Sequence, residues 1–105
     1  YKGVYEGDQT SRDLAHHNGC TFPWLLGCYV DAKIMIEGAK FVKKGKQLLG
    51  AFEEDINIHG IGSVAEIYDG DPSHSAHGCI SSAASVAEII RGEWLLDNVK
   101  KLKNR

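Results

Sequence analysis

The 105-residue chain lacks any long apolar run, and this absence excludes whole classes of protein. No stretch approaches the roughly 20 apolar residues that a membrane helix needs, so we expect no membrane contact. No charged-then-apolar segment opens the chain, so no signal segment is predicted. A net charge of −2 gives no reason to expect nucleic acid as a partner. With 43% hydrophobic and 25% charged residues, the composition is that of one soluble globular domain.

Cysteine is also scarce, and its pattern is not that of a disulfide framework. Cys20, Cys28 and Cys79 are an odd number without framework spacing, which predicts free buried thiols and a reducing, cytoplasmic compartment. His74, His77 and Cys79 raise the question of zinc, because imidazole and thiolate suit that ion. Their spacing is a weak signature, so we expect neither a metal nor a cofactor.

Strand signals are nearly absent, whereas apolar residues recur at helical spacing in three segments. The pattern predicts helices over residues 25–36, 41–56 and 80–94, and it continues to residue 102. Two glycines interrupt the second helix, and each costs about 1 kcal/mol relative to Ala. Residues 1–21 show neither period and are predicted to be irregular. Three helices with two long loops enclose little core, and the chain opens on Tyr, so we expect a piece of a larger all-α body.

The stretch from Gly62 to Cys79 is the candidate site, because it concentrates three carboxylates and two imidazoles. They belong to Glu66, Asp69, Asp71, His74 and His77. Glycine and proline break both periodicities within the stretch, which predicts a loop without regular structure. Helical patterns on both sides would anchor that loop and hold its side chains in place.

Four sequence blocks, in a fixed order, carry a resemblance to a known family. The blocks are His17-Asn18-Gly19, Phe22-Pro23-Trp24-Leu25-Leu26-Gly27, Gly62 through Gly78-Cys79, and Ala83-Ala84-Ser85-Val86-Ala87-Glu88. Their order and spacing resemble the C-terminal end of the glycogen debranching enzyme (amylo-α-1,6-glucosidase) family. The matching blocks extend over nearly the whole chain, which makes them more specific than any single motif.

This resemblance implies that residues 1–105 are the last part of an (α/α)6 barrel, the catalytic domain of a glycoside hydrolase. Such enzymes hydrolyse the α-1,6 branch linkages of glycogen-like glucans with inversion. Glu66 aligns with the general base, whereas the general acid comes from an earlier barrel loop. The chain alone is therefore expected to be inactive. Its implied partners are an α-glucan, such as glycogen or branched dextrin, and either the rest of the barrel or a second copy.

The resemblance also implies a set of substrate-binding residues, namely His17, Trp24, Asp69 and His74. An imidazole can bond a sugar hydroxyl, and an indole can stack on the apolar face of a sugar ring. Taken from the residues alone, Trp24 fits a core position and Asp69 fits a turn-fixing residue, so both interpretations stay open.

The chain departs from the family pattern near the expected pocket. Cys20 and Phe22 stand where Thr and Trp are usual, and Ser82 and Ala84 stand where Gln and Trp are usual. Ala76-His77 replaces Pro-Arg. Loss of a Trp ring removes a stacking surface, so altered specificity and degraded activity are two hypotheses for this chain.

Two further classes of function stay open. The chain could be a glucan-binding or regulatory remnant without catalytic activity. It could also be a structural helical module that self-associates, because an incomplete barrel leaves apolar helix faces uncovered.

Overall fold

Residues 1–58 and 60–102 are described by a computed structural model of the chain. The described part is mostly helical, with one small sheet, and confirms the predicted all-α class. In chain order the elements are α1 Gln9–His16, α2 Leu25–Glu37, a 3₁₀ helix Gly38–Phe41, α3 Val42–Gly50, α4 Phe52–Asp55, β1 Ile67–Tyr68, β2 Ala76–His77, α5 Ala83–Asp97 and α6 Val99–Leu102.

The three helices predicted from apolar spacing are found, with altered bounds. The helix predicted over residues 25–36 corresponds to α2, which ends at Gly38 with a φ of +60°. The segment 41–56 is divided into α3 and α4 directly after Gly50, a residue that weakens a continuous helix. Helix α5 begins later than predicted because Oγ of Ser82 accepts the backbone N–H of Ser85 and caps it.

The prediction that residues 1–21 are irregular is wrong, because α1 lies within them. The carboxylate of Asp8 accepts the backbone N–H of Ser11 at 2.9 Å, which is a typical N-cap. Ala15 is fully buried and fastens the helix to the rest of the chain. A short helix with a single buried residue leaves too little apolar periodicity for recognition in the sequence.

The prediction of a loop without regular structure between Gly62 and Cys79 is also wrong. Strands β1 and β2 pair antiparallel, with Ile67 opposite His77 and Tyr68 opposite Ala76. Outside the strands, the N–H of Asp69 donates to Ser75 at 3.0 Å, so the pairing extends to the turn. The turn-forming residues that suggested an open loop instead close a hairpin.

The main hydrophobic cluster holds α2, α3, α5 and α6 together. Its buried members are Val30, Ile34, Phe41, Leu49, Leu95, Leu96 and Val99. Helices α2 and α5 approach closely at Gly27, where a Cβ would meet the carboxylate of Glu88 and lie 3.0 Å from its carbonyl oxygen. Glycine is therefore required at this crossing.

A second hydrophobic cluster seats the hairpin on the helices. Val64, Ala65 and Tyr68 are buried in it, and Phe52 of α4 packs against them. The rings of Tyr68 and Phe52 meet nearly edge to face, with centroids 5.9 Å apart. The hairpin is thus held by side-chain burial as well as by its own hydrogen bonds.

Several apolar residues of the predicted helical stripes lie on the surface. Met35 and Ile36 of α2 are 83% and 79% exposed, and Trp94 of α5 is 51% exposed. The cysteines are free as predicted, but the prediction that they are buried is wrong, since Cys28 and Cys79 are exposed. Across residues 1–58 and 60–102, every helix is too short or too polar to cross a bilayer.

The main cluster generates a stability prediction. Phe41→Ala removes a fully buried ring, and we expect it to lower the free energy of unfolding by about 3–5 kcal/mol. Ile61→Ala is the control and should change it by less than about 0.5 kcal/mol, because Ile61 is 98% exposed. Urea unfolding followed by circular dichroism measures both values. Similar losses in the two variants would contradict the assignment of the core.

Candidate active site

Glu66 directly precedes β1 and makes two hydrogen bonds to Cys79, which lies just after β2. Its backbone N–H donates to the Cys79 carbonyl at 2.9 Å, and its Oε2 accepts the Cys79 N–H at 3.0 Å. The side chain is half-buried. Within the described part of the chain, the second oxygen, Oε1, makes no hydrogen bond. The carboxylate is therefore fixed at one oxygen and open at the other.

Asp69 lies at the other end of β1 and is only 6% exposed. Its Oδ1 accepts the backbone N–H of Tyr5 at 2.8 Å and lies 2.9 Å from Nε2 of His77. These two atoms are within ion-pair distance, so a protonated imidazole attracts the carboxylate. Burial alone would raise the pKa of Asp69, but the Tyr5 N–H, His77 and His74 outweigh it and lower that pKa.

The first five residues, 1–5, form a strap that lies across the turn of the hairpin. The Tyr1 hydroxyl donates to Oδ1 of Asp71 at 2.7 Å, and the N–H of Gly70 donates to the Gly3 carbonyl at 2.8 Å. Together with the Tyr5–Asp69 hydrogen bond, these contacts join the start of the chain to the turn of the hairpin. The sequence offered no sign of them because about 65 residues separate the partners.

His17 and Trp24 occupy exposed positions near the start of α2. His17 Nε2 lies 3.1 Å from Nδ1 of His16, and its ring stacks on Phe22 with centroids 6.1 Å apart. Trp24 immediately precedes α2 and is 44% exposed, which contradicts the interpretation of Trp24 as a core residue. Both rings can therefore be reached by a ligand from solvent.

His74 lies in the hairpin turn, with a φ of +60° and its Nδ1 3.0 Å from the Asp69 carbonyl oxygen. It lines a mostly apolar cavity of about 440 Å³ beside α2, α3 and α4. The cavity residues are Thr21, Phe22, Pro23, Leu26, Leu48, Ala51, Phe52, Asp55, Tyr68 and His74. At its wall the Tyr68 hydroxyl donates to the Asp55 carboxylate, and this bond together with burial raises the pKa of Tyr68.

The hairpin separates the expected site residues onto two faces. Because side chains alternate along a strand, Glu66 and Tyr68 share one face, whereas Ile67 and Asp69 share the other. Asp69 and His74 are brought together in the turn, and His17 lies against Phe22 at the cavity wall. Among the expected site residues, His74 lines that cavity, and the following do not: His17, Trp24, Glu66 and Asp69.

An aromatic group that no sequence motif indicates links the strap, α1 and β2. The Tyr5 ring lies 5.5 Å from that of His77 and 6.3 Å from that of His16, measured between centroids. His16 in turn meets Phe22 nearly edge to face at 4.9 Å. These residues are distant in sequence and share no motif, so only the folded chain reveals the group.

The possible zinc ligands have other partners. His77 pairs with Asp69, and the Cys79 thiol donates to the Ser81 carbonyl oxygen at 3.3 Å. Within residues 1–58 and 60–102, no three His, Cys, Asp or Glu side chains are grouped so that they could hold a metal ion.

Comparison with known proteins supplies one finding about the family. A family model described as amylo-alpha-1,6-glucosidase matches residues 1–91. Neither the curated proteins nor the solved structures give a significant match. The matched range contains the strap, the hairpin and each expected site residue.

The environment of Asp69 generates a prediction about acid stability. A lowered pKa means that the unfolded chain takes up the proton first, so Asp69 stabilises the fold above its unfolded pKa of about 3.9. This stabilisation is lost as the pH falls through the lower pKa of the folded state. We therefore expect Asp69→Asn to be less stable than the wild type near pH 5.5, and we expect this difference to shrink as the pH falls below about 3.9.

Urea midpoints of both proteins between about pH 2 and pH 5.5 measure this difference. Asp13→Asn is the control, because Asp13 is exposed on α1. A gap between wild type and Asp69→Asn that stayed constant with pH would contradict the ionised, strap-binding carboxylate.

Proposed function

The chain belongs to the amylo-alpha-1,6-glucosidase family, and from this premise we propose that it forms the C-terminal part of a glycoside hydrolase catalytic domain. The substrate is the α-1,6 branch linkage of a glycogen-like glucan, and cleavage proceeds with inversion. Glu66 supplies the general base, and the general acid lies outside residues 1–105. The observation that carries the proposal is a carboxylate held at one oxygen and open at the other, inside the family match.

Such a carboxylate suits the activation of water. In an inverting glycosidase the base removes a proton from a water molecule on the face of the sugar opposite the leaving group. The base and the acid are about 6.5–9.5 Å apart, which leaves room for that water. With Oε2 of Glu66 bound to Cys79, Oε1 is the oxygen that accepts the proton.

The neighbouring aspartates do not suit the role of the acid. A general acid must carry a proton at working pH, which requires a raised pKa. The pKa of Asp69 is lowered instead, and Asp71 accepts the Tyr1 hydroxyl. Asp69 also lies on the hairpin face opposite Glu66. These observations favour an acid contributed by another part of the domain.

The expected substrate-binding residues divide into two roles in this proposal. His17 and Trp24 are exposed, so the imidazole can bond a sugar hydroxyl and the indole can stack on a sugar ring. Asp69 is buried and acts indirectly by holding the strap and the turn that carries His74. His74 faces the cavity and is the third group that a glucan can reach.

The exposed apolar surface favours a larger barrel around this chain. A cavity of about 880 Å³ lies between α2, α5 and α6, and exposed apolar side chains such as Met35 and Trp94 line it. Exposed apolar surface of this kind is typical of an interface. We propose that the other helices of an (α/α)6 barrel cover it, and that self-association does so in the isolated chain.

Free cysteines favour a cytoplasmic location.

A glucan-binding remnant without catalytic activity is the second candidate. It is favoured by exposed sugar-binding groups in a chain whose aspartates are poor candidates for the acid. The two candidates differ in one outcome, namely whether the parent protein hydrolyses the branch linkage and loses this activity when Glu66 is replaced.

The first test uses the parent protein that carries this segment together with the acid. We expect Glu66→Ala to reduce glucose release from branched dextrin by at least about 100-fold, the lower limit for loss of a general base. Azide should restore turnover and give a β-glucosyl azide, because azide attacks without a base and inverts the α linkage. Glu54→Gln, an exposed carboxylate on α4, is the control. Full activity of Glu66→Ala without azide would remove Glu66 from the mechanism.

The isolated 105-residue chain gives a complementary prediction. We expect it to release no measurable glucose from branched dextrin, because a base without an acid leaves the departing oxygen unprotonated. A reducing-sugar assay with purified chain checks this, and a robust rate would contradict the proposal of a missing acid.

Binding of a branched oligosaccharide to the isolated chain tests the proposed contacts. Trp24→Ala should weaken binding about 5- to 10-fold through loss of stacking, as measured by isothermal titration calorimetry. Trp94→Ala is the matched control, because Trp94 is also an exposed indole but lies at the other cavity. Equal effects of the two substitutions would contradict a glucan site at Trp24.

A further inference from the structure

The carboxylate of Glu66 lies against Gly78 and Cys79, which follow β2 on the other side of the hairpin. The space beside Gly78, which has no side chain, is called the notch below. Oε2 accepts the Cys79 N–H at 3.0 Å, and a Cβ on Gly78 would lie 2.8 Å from the same oxygen. We propose that Gly78 and the backbone of Cys79 form a positioning device that fixes Oε2 and leaves Oε1 for the attacking water. The role of Oε1 in catalysis rests on the proposed function, whereas the geometry of the notch is independent of it.

The register of the hairpin places the notch where Glu66 needs it. Since Ile67 pairs with His77, the preceding residue Glu66 falls opposite Gly78. The Glu66 N–H also donates to the Cys79 carbonyl at 2.9 Å. Backbone and side chain of Glu66 are thus bound by the same residue, so the position of the carboxylate is coupled to the hairpin.

Gly78 is constrained in two ways. Its φ of +70° lies in the left-handed region that disfavours a side chain. A Cβ there would also lie 2.8 Å from Glu66 Oε2, 3.2 Å from Ile67 Cδ1 and 3.3 Å from Glu66 Cβ. The contact with Oε2 is the shortest, so a methyl group would displace the carboxylate from the Cys79 N–H. The second constraint links this glycine to Glu66.

Gly62 is a matched control for the first constraint. Its φ of +73° is almost that of Gly78, but a Cβ there would have no atom within 4 Å. Gly62→Ala therefore introduces the same backbone strain without a contact to Glu66.

Such a device affects catalysis by fixing the orientation of the Glu66 carboxylate. A glutamate side chain has three rotatable torsions, and small displacements of a reacting group reduce rates strongly. One hydrogen bond to Oε2 limits the positions of Oε1, and the missing side chain of Gly78 leaves the space that Oε2 fills. Gly78 and Cys79 are positioning residues, since neither needs to touch the sugar or the water.

The direct test measures the hydrogen bond in the isotopically labelled 105-residue chain. We expect a scalar coupling through the hydrogen bond between the Cys79 amide nitrogen and the Glu66 carboxylate carbon. Gly78→Ala should abolish the coupling, and Gly62→Ala should retain it. Persistence of the coupling in Gly78→Ala, or its loss in both variants, would overturn the proposal.

A double-mutant cycle keeps the proposal testable if Gly78→Ala folds poorly. Its effect on the unfolding equilibrium constant should become at least about fivefold smaller when combined with Glu66→Ala, because the crowded carboxylate is then absent. The effect of Gly62→Ala should be the same in both backgrounds. A cost of Gly78→Ala that did not depend on Glu66 would overturn the steric link.

Neither measurement involves hydrolysis, so the two proposals can fail separately. If Glu66→Ala leaves the parent enzyme fully active, the proposed function fails while the notch stands. If the function holds, Gly78→Ala in the parent should lower kcat at least about tenfold and leave KM within about twofold. A change confined to KM would overturn the positioning role.

Discussion

The antiparallel pairing of β1 with β2 is the constraint on which the candidate site depends. Hydrogen bonds from Asp69 to Ser75 and from Glu66 to Cys79 extend this short ladder at both ends. Since side chains alternate across the ladder, one hairpin presents Glu66 on one face and Asp69 on the other. A single element thus supports the proposed chemistry and, separately, the anchoring of the strap.

Anchoring of the hairpin combines burial with charge. On one face of the hairpin Tyr68 is buried in the second hydrophobic cluster, where Phe52 packs against it, whereas the Glu66 side chain is only half-buried. On the other face Asp69 binds the Tyr5 N–H and pairs with His77. A carboxylate whose pKa is lowered by these partners serves to bind the strap and is poorly suited to donate a proton. The same contacts therefore hold the strap in place and make Asp69 a poor candidate for the proposed general acid.

Prediction from the sequence succeeded where the signal was local. Helix α2 agrees with its predicted range because apolar spacing and a glycine stop lie within one segment. The hairpin was missed because its turn residues, Gly70 and Pro72, also occur in irregular loops. Helix α1 was missed because it buries only Ala15. The assignment of Glu66 as the general base stays a prediction that depends on the resemblance, since a loop carboxylate carries no signal of its own.

The sequence by itself determined the all-α class, the family and the approximate positions of three helices, because periodicity and ordered motifs are properties of neighbouring residues. Only the tertiary structure decided that one oxygen of Glu66 is bound, that Asp69 holds Tyr5 and that Trp24 is exposed. These features depend on contacts between segments far apart in the chain. Such contacts form only when the hairpin, strap and helices pack together, and no local pattern encodes their geometry.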